Sequence, residues 1–204
     1  MKKYLFCTIM CLLICNLSSC AQTDEQTLPS EVEETIKQQC IHKVRVLTDH
    51  FDKITSKVEA DSIKDYHIDA CLDLFIGRGN DTKDYEGNVI IPAPKAEVFL
   101  EGRHNIYPLK SYLKRLKTMG YYKIIVKNSY CYYVNPKSLK KVGDNQYSAI
   151  VTVYKVNIGN KGDLIVYRDK TMKSVQIILE NTQTRFNVFL GDISVDQTES
   201  TNER

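Results

Sequence analysis

The sequence predicts an α+β fold, with long N-terminal helices packed on a curved antiparallel β-sheet. Three observations carry this. Apolar residues recur at helical spacing before residue 60, alternation dominates after Gly120, and turn residues divide the later half into short segments. Helices first and strands afterwards exclude the β-α-β alternation of a parallel sheet.

The first helix is expected from Glu31 to about Glu59. Ile36, Cys40, Val44, Leu47, Phe51, Ile54 and Val58 follow one another three or four residues apart and form one stripe. Ser30 is a natural N-cap, and Glu33 three residues on completes a capping box after Pro29. A second helix is expected from Ser62 to Ile76, with Ile63, Tyr66, Ala70 and Leu74 inward. Gly77-Arg78-Gly79-Asn80 stops it. A polar loop then runs to Gly87, and Val89 to Ile91 is a short strand that Pro92 and Pro94 end. A third helix starts near Pro108, buries Leu109, Tyr112, Leu113 and Leu116, and ends at Gly120.

Beyond Gly120 the expected strands are Tyr121 to Lys127, Tyr130 to Val134, Gln146 to Val156, Leu164 to Arg168, Ser174 to Leu179 and Arg185 to Val195. Asn135-Pro136, Gly143-Asp144-Asn145, Gly159 to Gly162 and Glu180-Asn181-Thr182 supply the turns. Val175, Ile177 and Leu179 share one face, as in a sheet with one buried side.

The first twenty residues carry a separate message. Lys2 and Lys3 precede an apolar run from Leu5 to Leu17, and Leu17-Ser18-Ser19-Cys20 closes it. That is the layout of a secretory signal. The apolar run is too short to span a bilayer, which needs about 20 residues. The tetrapeptide resembles the bacterial lipobox, in which the Cys is acylated and becomes the first mature residue. The resemblance implies a signal peptide over 1–19 and a lipid anchor at Cys20 that tethers the chain to the membrane. It also implies a polar tether over 20–30. Asp24 and Glu25 are similar to the acidic export signals of surface lipoproteins in Bacteroidetes, which points to the cell envelope, to its outer membrane and to surface exposure. A single domain is expected over 31–196, with a disordered tail over 197–204.

The order of elements, with the closing strand Phe186-Asn187-Val188-Phe189-Leu190-Gly191-Asp192-Ile193, resembles the nuclear transport factor 2-like (NTF2-like, cystatin-like) superfamily. The resemblance implies a cone, in which a bent sheet wraps a long N-terminal helix and leaves an open mouth. The whole chain is similar to lipoproteins of Bacteroidetes that carry such domains. That likeness supplies no catalytic residues to carry over.

Cys7, Cys11 and Cys15 lie in the expected signal, so Cys40, Cys71 and Cys131 remain beside the anchor. Either Cys40 and Cys71 pair in an oxidising compartment, or all three are buried thiols. His42, His50, His67 and His104 show no ligand spacing, so no metal site is expected. Gly77 and Gly79 follow a helix rather than open one, which makes them a turn and not a phosphate loop. No cofactor is expected, and no residue is nominated as catalytic.

Charge is polarised. Residues 20–101 hold 17 acids and 9 bases, whereas residues 102–190 hold 4 acids and 16 bases, net −8 against net +12. Lys110, Lys114 and Lys117 share a helical stripe, and Lys123 and Lys127 share a strand face, amid ten of the thirteen tyrosines. These lysines form a candidate patch for an anionic ligand or an envelope protein; acidic helices covering the sheet are the competing account. A nucleic-acid partner is not expected outside the cytoplasm. The expected function is therefore a lipid-anchored extracytoplasmic binding or assembly module. A small isomerase or hydrolase working inside the cone is the enzyme alternative, and a structural envelope subunit is the third. The oligomeric state is not written in the sequence.

Overall fold

The computed structural model describes residues 30–100, 103–118, 125–161, 164–182 and 185–201. Helix α1 spans Ser30–Thr55 and buries Ile36, Cys40, Val44, Leu47 and Ile54 along the expected stripe. It ends a turn early. The Thr55 hydroxyl donates to the Phe51 and Asp52 carbonyls, and Lys53 pairs with Glu59 at 3.1 Å, folding the chain back. Val58, expected on the stripe, is therefore 92% exposed. Phe51 is only half-buried.

Helix α2 spans Asp61–Leu72, shorter than expected, and its inward face differs. Ile63 and Tyr66 face solvent, while Cys71 and Leu72 are buried. The core then continues through Leu74, Phe75 and Ile76, which are no longer helical continuations of α2. Gly77, Arg78 and Gly79 all take left-handed backbone, with φ of 63°, 51° and 75°. This confirms a tight turn at that motif, where glycine avoids the Cβ penalty.

Strands β1 (Thr82–Lys83) and β2 (Val89–Ile91) form a separate two-stranded ribbon. Strands β3 (Lys95–Leu100) and β4 (Arg103–Pro108) form a hairpin that the sequence reading did not anticipate. Helix α3 (Leu109–Thr118) buries Leu109, Tyr112, Leu113 and Leu116 as expected.

Beyond it come β5 (Ile125–Val134), β6 (Lys140–Gly143), β7 (Gln146–Lys161), β8 (Leu164–Asn181) and β9 (Phe186–Thr201). The expected segments Leu164 to Arg168 and Ser174 to Leu179 are one strand, because nothing between them breaks the ladder. The seven-stranded sheet has the order β4-β3-β9-β8-β7-β5, with β6 on β7. It is mixed rather than wholly antiparallel, since β3 lies parallel to β9 through Ala96 and Ile193. The expected disordered tail is strand as far as Thr201, with Thr198 opposite Thr171.

Strand β9 carries two irregularities against β8. Val175 and Ile177 oppose Ile193 and Leu190, and Met172 and Lys173 oppose Gln197 and Val195. Each time β9 takes one extra residue, which bends a strand and reverses which side chains point inward. Leu190, Ile193 and Val195 are consequently all buried despite their uneven spacing. At the first bulge the Gln176 side chain accepts from the Asp192 amide at 3.4 Å. A Cβ on Gly191 would stand 2.7 Å from that Gln176 oxygen.

The inner face of the sheet presents Ala149, Val151 and Val153 from β7, and Val175, Ile177 and Leu179 from β8. From Glu34 onward the described chain is one compact unit.

Candidate functional site: a cleft between the helices and the sheet

The inner face does not close completely on the helices. A cavity of about 60 Å³ lies among Val44, Leu47, Thr48, Phe51 and Thr55 of α1, Tyr112 and Leu116 of α3, and Tyr130, Val153, Lys155, Lys173, Val175 and Ile193 of the sheet. At about 10–15 Å³ for one water, it has room for a few waters or a small ligand. Its position explains why Phe51 is half-buried: its ring stands at the edge of the void, in edge-on contact with Tyr112 at 5.8 Å.

The floor is set by register. Tyr130 on β5 opposes Lys155 on β7, and Val153 on β7 opposes Lys173 on β8. Alternation places Lys155 on the side of Val153, and Lys173 on the side of Val175. Two ammonium side chains thus rise from the apolar face of the sheet. The Lys155 Nζ lies 5.6 Å from the centre of the Tyr130 ring.

Hydroxyls tie the floor to α1. The Tyr130 hydroxyl donates to Asp52 Oδ1 at 2.6 Å. The Thr48 and Tyr132 hydroxyls lie 2.5 Å apart, and the Thr48 hydroxyl donates to the Arg45 carbonyl. Arg45 sits over the Tyr132 ring at 5.7 Å. Burial raises the Tyr132 phenol above its usual range, against the opposing effect of the Thr48 bond. Tyr112 is raised more strongly, first by burial and then by the neighbouring Cys71. The Tyr112 and Tyr132 phenols therefore act as neutral hydrogen-bonding groups.

A second titratable cluster lies outside the cleft. His50 of α1 and His67 of α2 approach Nδ1 to Nδ1 at 2.9 Å, with ring centres 5.2 Å apart. Loss of solvent lowers the pKa of His50, the charge of His67 lowers it further, and Asp49 opposes both. Among the described residues no group of three or more His, Cys, Asp or Glu side chains is placed to hold a metal ion. Cys40 and Cys71 are buried free thiols, and burial pushes Cys40 up to about 12. Cys131, taken in one reading as buried, is exposed on β5.

The expected lysine patch is divided. Lys117 bonds Asp65 at 2.7 Å and lies 3.8 Å from Asp61, so acidic α2 neutralises it. The Asp65 bond is the main reason its pKa rises. Lys110 donates to the Asn80 side chain at 2.5 Å, and Lys114 is exposed. Lys123 lies outside the described residues. So do the Lys127 side chain and Cys20. The sequence reading missed Lys155 and Lys173 as site residues. The signal was there: each falls on the buried parity of its strand, two residues from a buried valine.

No protein-family model matches the chain, and no curated protein does either. A solved structure from Novosphingobium aromaticivorans, named "Putative Scytalone Dehydratase", is similar at a TM-score of 0.40 and 9% identity, over 84% of this chain and 92% of that one. No helix among the described residues is long and apolar enough to cross a membrane.

Proposed function

We propose that the protein is a small-ligand binding module of the bacterial envelope, built on the nuclear transport factor 2-like cone and tethered by lipid at Cys20. The cone reading is supported by the order of elements and by a long helix lying over the buried face of a bulged sheet. The single observation that carries the binding reading is the lining of the cleft. It is apolar, with two lysines and a few hydroxyls among its lining residues, a shape and chemistry that suit a small ligand. The enzyme reading would draw on the same Tyr130 hydroxyl and the Asp52 carboxylate it donates to.

The test is occupancy of the cleft. Leu47→Trp and Val153→Phe fill the void from opposite walls, and both should abolish saturable binding of small apolar ligands while circular dichroism stays native. Ligand uptake unchanged in both variants would remove the cleft as the site. The tether is tested by metabolic labelling with a fatty acid: Cys20→Ala should take up none. Equal labelling of that variant would end the lipoprotein reading.

A further inference from the structure

We infer that the α1 wall of this cleft is a gate that acid opens, latched by one proton that His50 of α1 shares with His67 of α2. The inference rests on the binding reading above and adds regulation to the same site.

The latch is legible in its geometry. The two Nδ1 atoms are 2.9 Å apart and the ring centres 5.2 Å. The second separation exceeds the first by no more than a ring radius on each side, so the nitrogens point straight at each other. Such a contact is a hydrogen bond only if one ring presents Nδ1–H and the other a bare Nδ1. One proton therefore bridges the pair, whether the pair is neutral or carries a single charge. A second charge would set two N–H groups head to head, and the bond could not survive it. Partial burial and the charge of His67 both disfavour that second charge at His50, against the pull of Asp49.

What the latch holds is the wall. Leu47, Thr48, Phe51 and Thr55 line the void from the last turns of α1, and His50 reaches α2 from among them. On the sheet side, this stretch is met by the Thr48–Tyr132 and Asp52–Tyr130 hydroxyl contacts. On the other side, α2 is a fixed anchor, because Lys117 of α3 engages its Asp61 and Asp65. The Tyr66 ring stands edge-on to His67 at 5.3 Å, and Lys53 pairs with Glu59 just past the end of α1. Carboxylates ordinarily titrate below pH 5, so a change between pH 7.5 and pH 5.5 reads imidazole chemistry.

The sign follows from counting protons. Opening leaves both rings in water, where an imidazole takes up its proton at about pH 6.5, whereas the closed latch refuses the second one. Acid therefore favours the open wall: closure is at full strength above about pH 6.5 and weakens below it. One proton of this kind shifts the opening equilibrium about tenfold between pH 7.5 and pH 5.5. The competing account is a plain packing contact between two helices, in which proton uptake is felt only when the whole chain unfolds.

Two readouts on the full chain separate these accounts. Amide hydrogen exchange, corrected for intrinsic rates, compares residues 46–55 with the β8 segment 174–179, which reports global unfolding. NMR line shapes give the exit rate of 1-hexanol, which is uncharged throughout. In the wild type, protection of 46–55 should fall about tenfold from pH 7.5 to pH 5.5 while 174–179 holds, and 1-hexanol should leave about tenfold faster. In His50→Gln the amide can donate to His67 or accept from it, so the latch stays shut and both readouts should ignore pH. His67→Leu should be open, with fast exit at both pH values. Protection that ignores pH in the wild type, or falls equally in His50→Gln, overturns the latch and leaves the cleft as a binding site. Protection that falls without faster exit overturns the gate. Failure of 1-hexanol to bind the wild type at pH 7.5 overturns the binding reading and the gate with it. If His67→Leu does not fold, the comparison of wild type with His50→Gln decides.

Discussion

Ile177 and Phe51 lie on opposite walls of the same interior, and truncating each to alanine measures how that interior is packed. Ile177 is 0% exposed on β8, between Ala149 of β7 and Leu190 of β9. An isoleucine so enclosed should cost about 2–5 kcal/mol on truncation, the transfer loss plus an uncollapsed cavity. Phe51 presents a different case, since one side of its ring already faces the void. A fully packed phenylalanine costs about 3–5 kcal/mol, and roughly half its contacts are present, so Phe51→Ala should cost about 1.5–2.5 kcal/mol. Part of that is the edge-on contact with Tyr112, worth about 0.5–1.5 kcal/mol. In a compact unit of 171 residues, counted from Glu34 to Arg204, each kcal/mol moves Tm by about 2–4 °C. Ile177→Ala should therefore lower Tm by about 4–20 °C and Phe51→Ala by about 3–10 °C. Ile106→Ala, at a position 65% exposed, serves as the control and should stay within about 0.5 kcal/mol. Calorimetric melts, with urea titrations to check that m is unchanged, supply the numbers. If Ile177→Ala melted with the control, the assignment of the inner face would be wrong. If Phe51→Ala cost more than Ile177→Ala, the cleft would be closed by that ring and not open beside it.

Acidification should weaken the fold through His50. Its folded pKa lies below the ordinary 6.5, so the unfolded chain takes up the proton first. Stability is then full above about pH 6.5 and falls as pH drops toward the lowered value, and urea midpoints of wild type against His50→Gln should show that slope only in the wild type. Gly79→Ala should destabilise more than Gly87→Ala. Both have positive φ, at 75° and 88°, which costs an L-residue about 1–2 kcal/mol, but only the Gly79 Cβ meets a neighbour, the Leu72 Cδ2 at 2.9 Å. Among Cys40, Cys71 and Cys131, only Cys131 should be alkylated rapidly in the native protein, because the other two are buried with raised pKa values. Peptide mapping after a short iodoacetamide pulse reads it, and fast labelling at Cys40 would mean that α1 detaches.

The elements that sequence made legible are those whose pattern is local. α1 and α3 repeat one apolar face at helical spacing, and their buried residues are the expected ones except that Phe51 and Val58 are not buried and Thr48 is. α2 was misread because Ile63 and Tyr66 are apolar yet solvated, while the core residues Leu74 to Ile76 follow the helix instead of belonging to it. The β3–β4 hairpin gives a weak signal, with His104, Asn105 and Lys95 diluting any alternation. In β9 the alternation is present but shifts its phase at each bulge, which no fixed period can follow. The cleft was half legible: Val153 and Val175 mark the inward parity on which Lys155 and Lys173 also sit. The meeting of His50 and His67 was invisible, because two residues on separate helices are joined only by tertiary packing.

The bulge at Gly191 and Asp192 has a consequence for how the chain reaches this structure. Before it, Leu190 N bonds the Leu74 carbonyl and Leu190 bridges Phe75; after it, β9 runs beside β3. The Asp192 carboxylate accepts from the Lys95 amide and Glu97 accepts from the Val195 amide, closing gaps of 97 and 98 residues. The segment that follows α2 and the β3–β4 hairpin are thus both fastened to β9, far along the chain from either. Pairings this distant close slowly, since loop entropy is lost before the contacts form. Until residues 186–201 are available, the β3–β4 hairpin and the segment around Phe75 lack the strand they join, and their apolar residues stay open to aggregation. Strand β9 is thereby the clasp that holds the segment after α2 and the β3–β4 hairpin to the rest of the sheet.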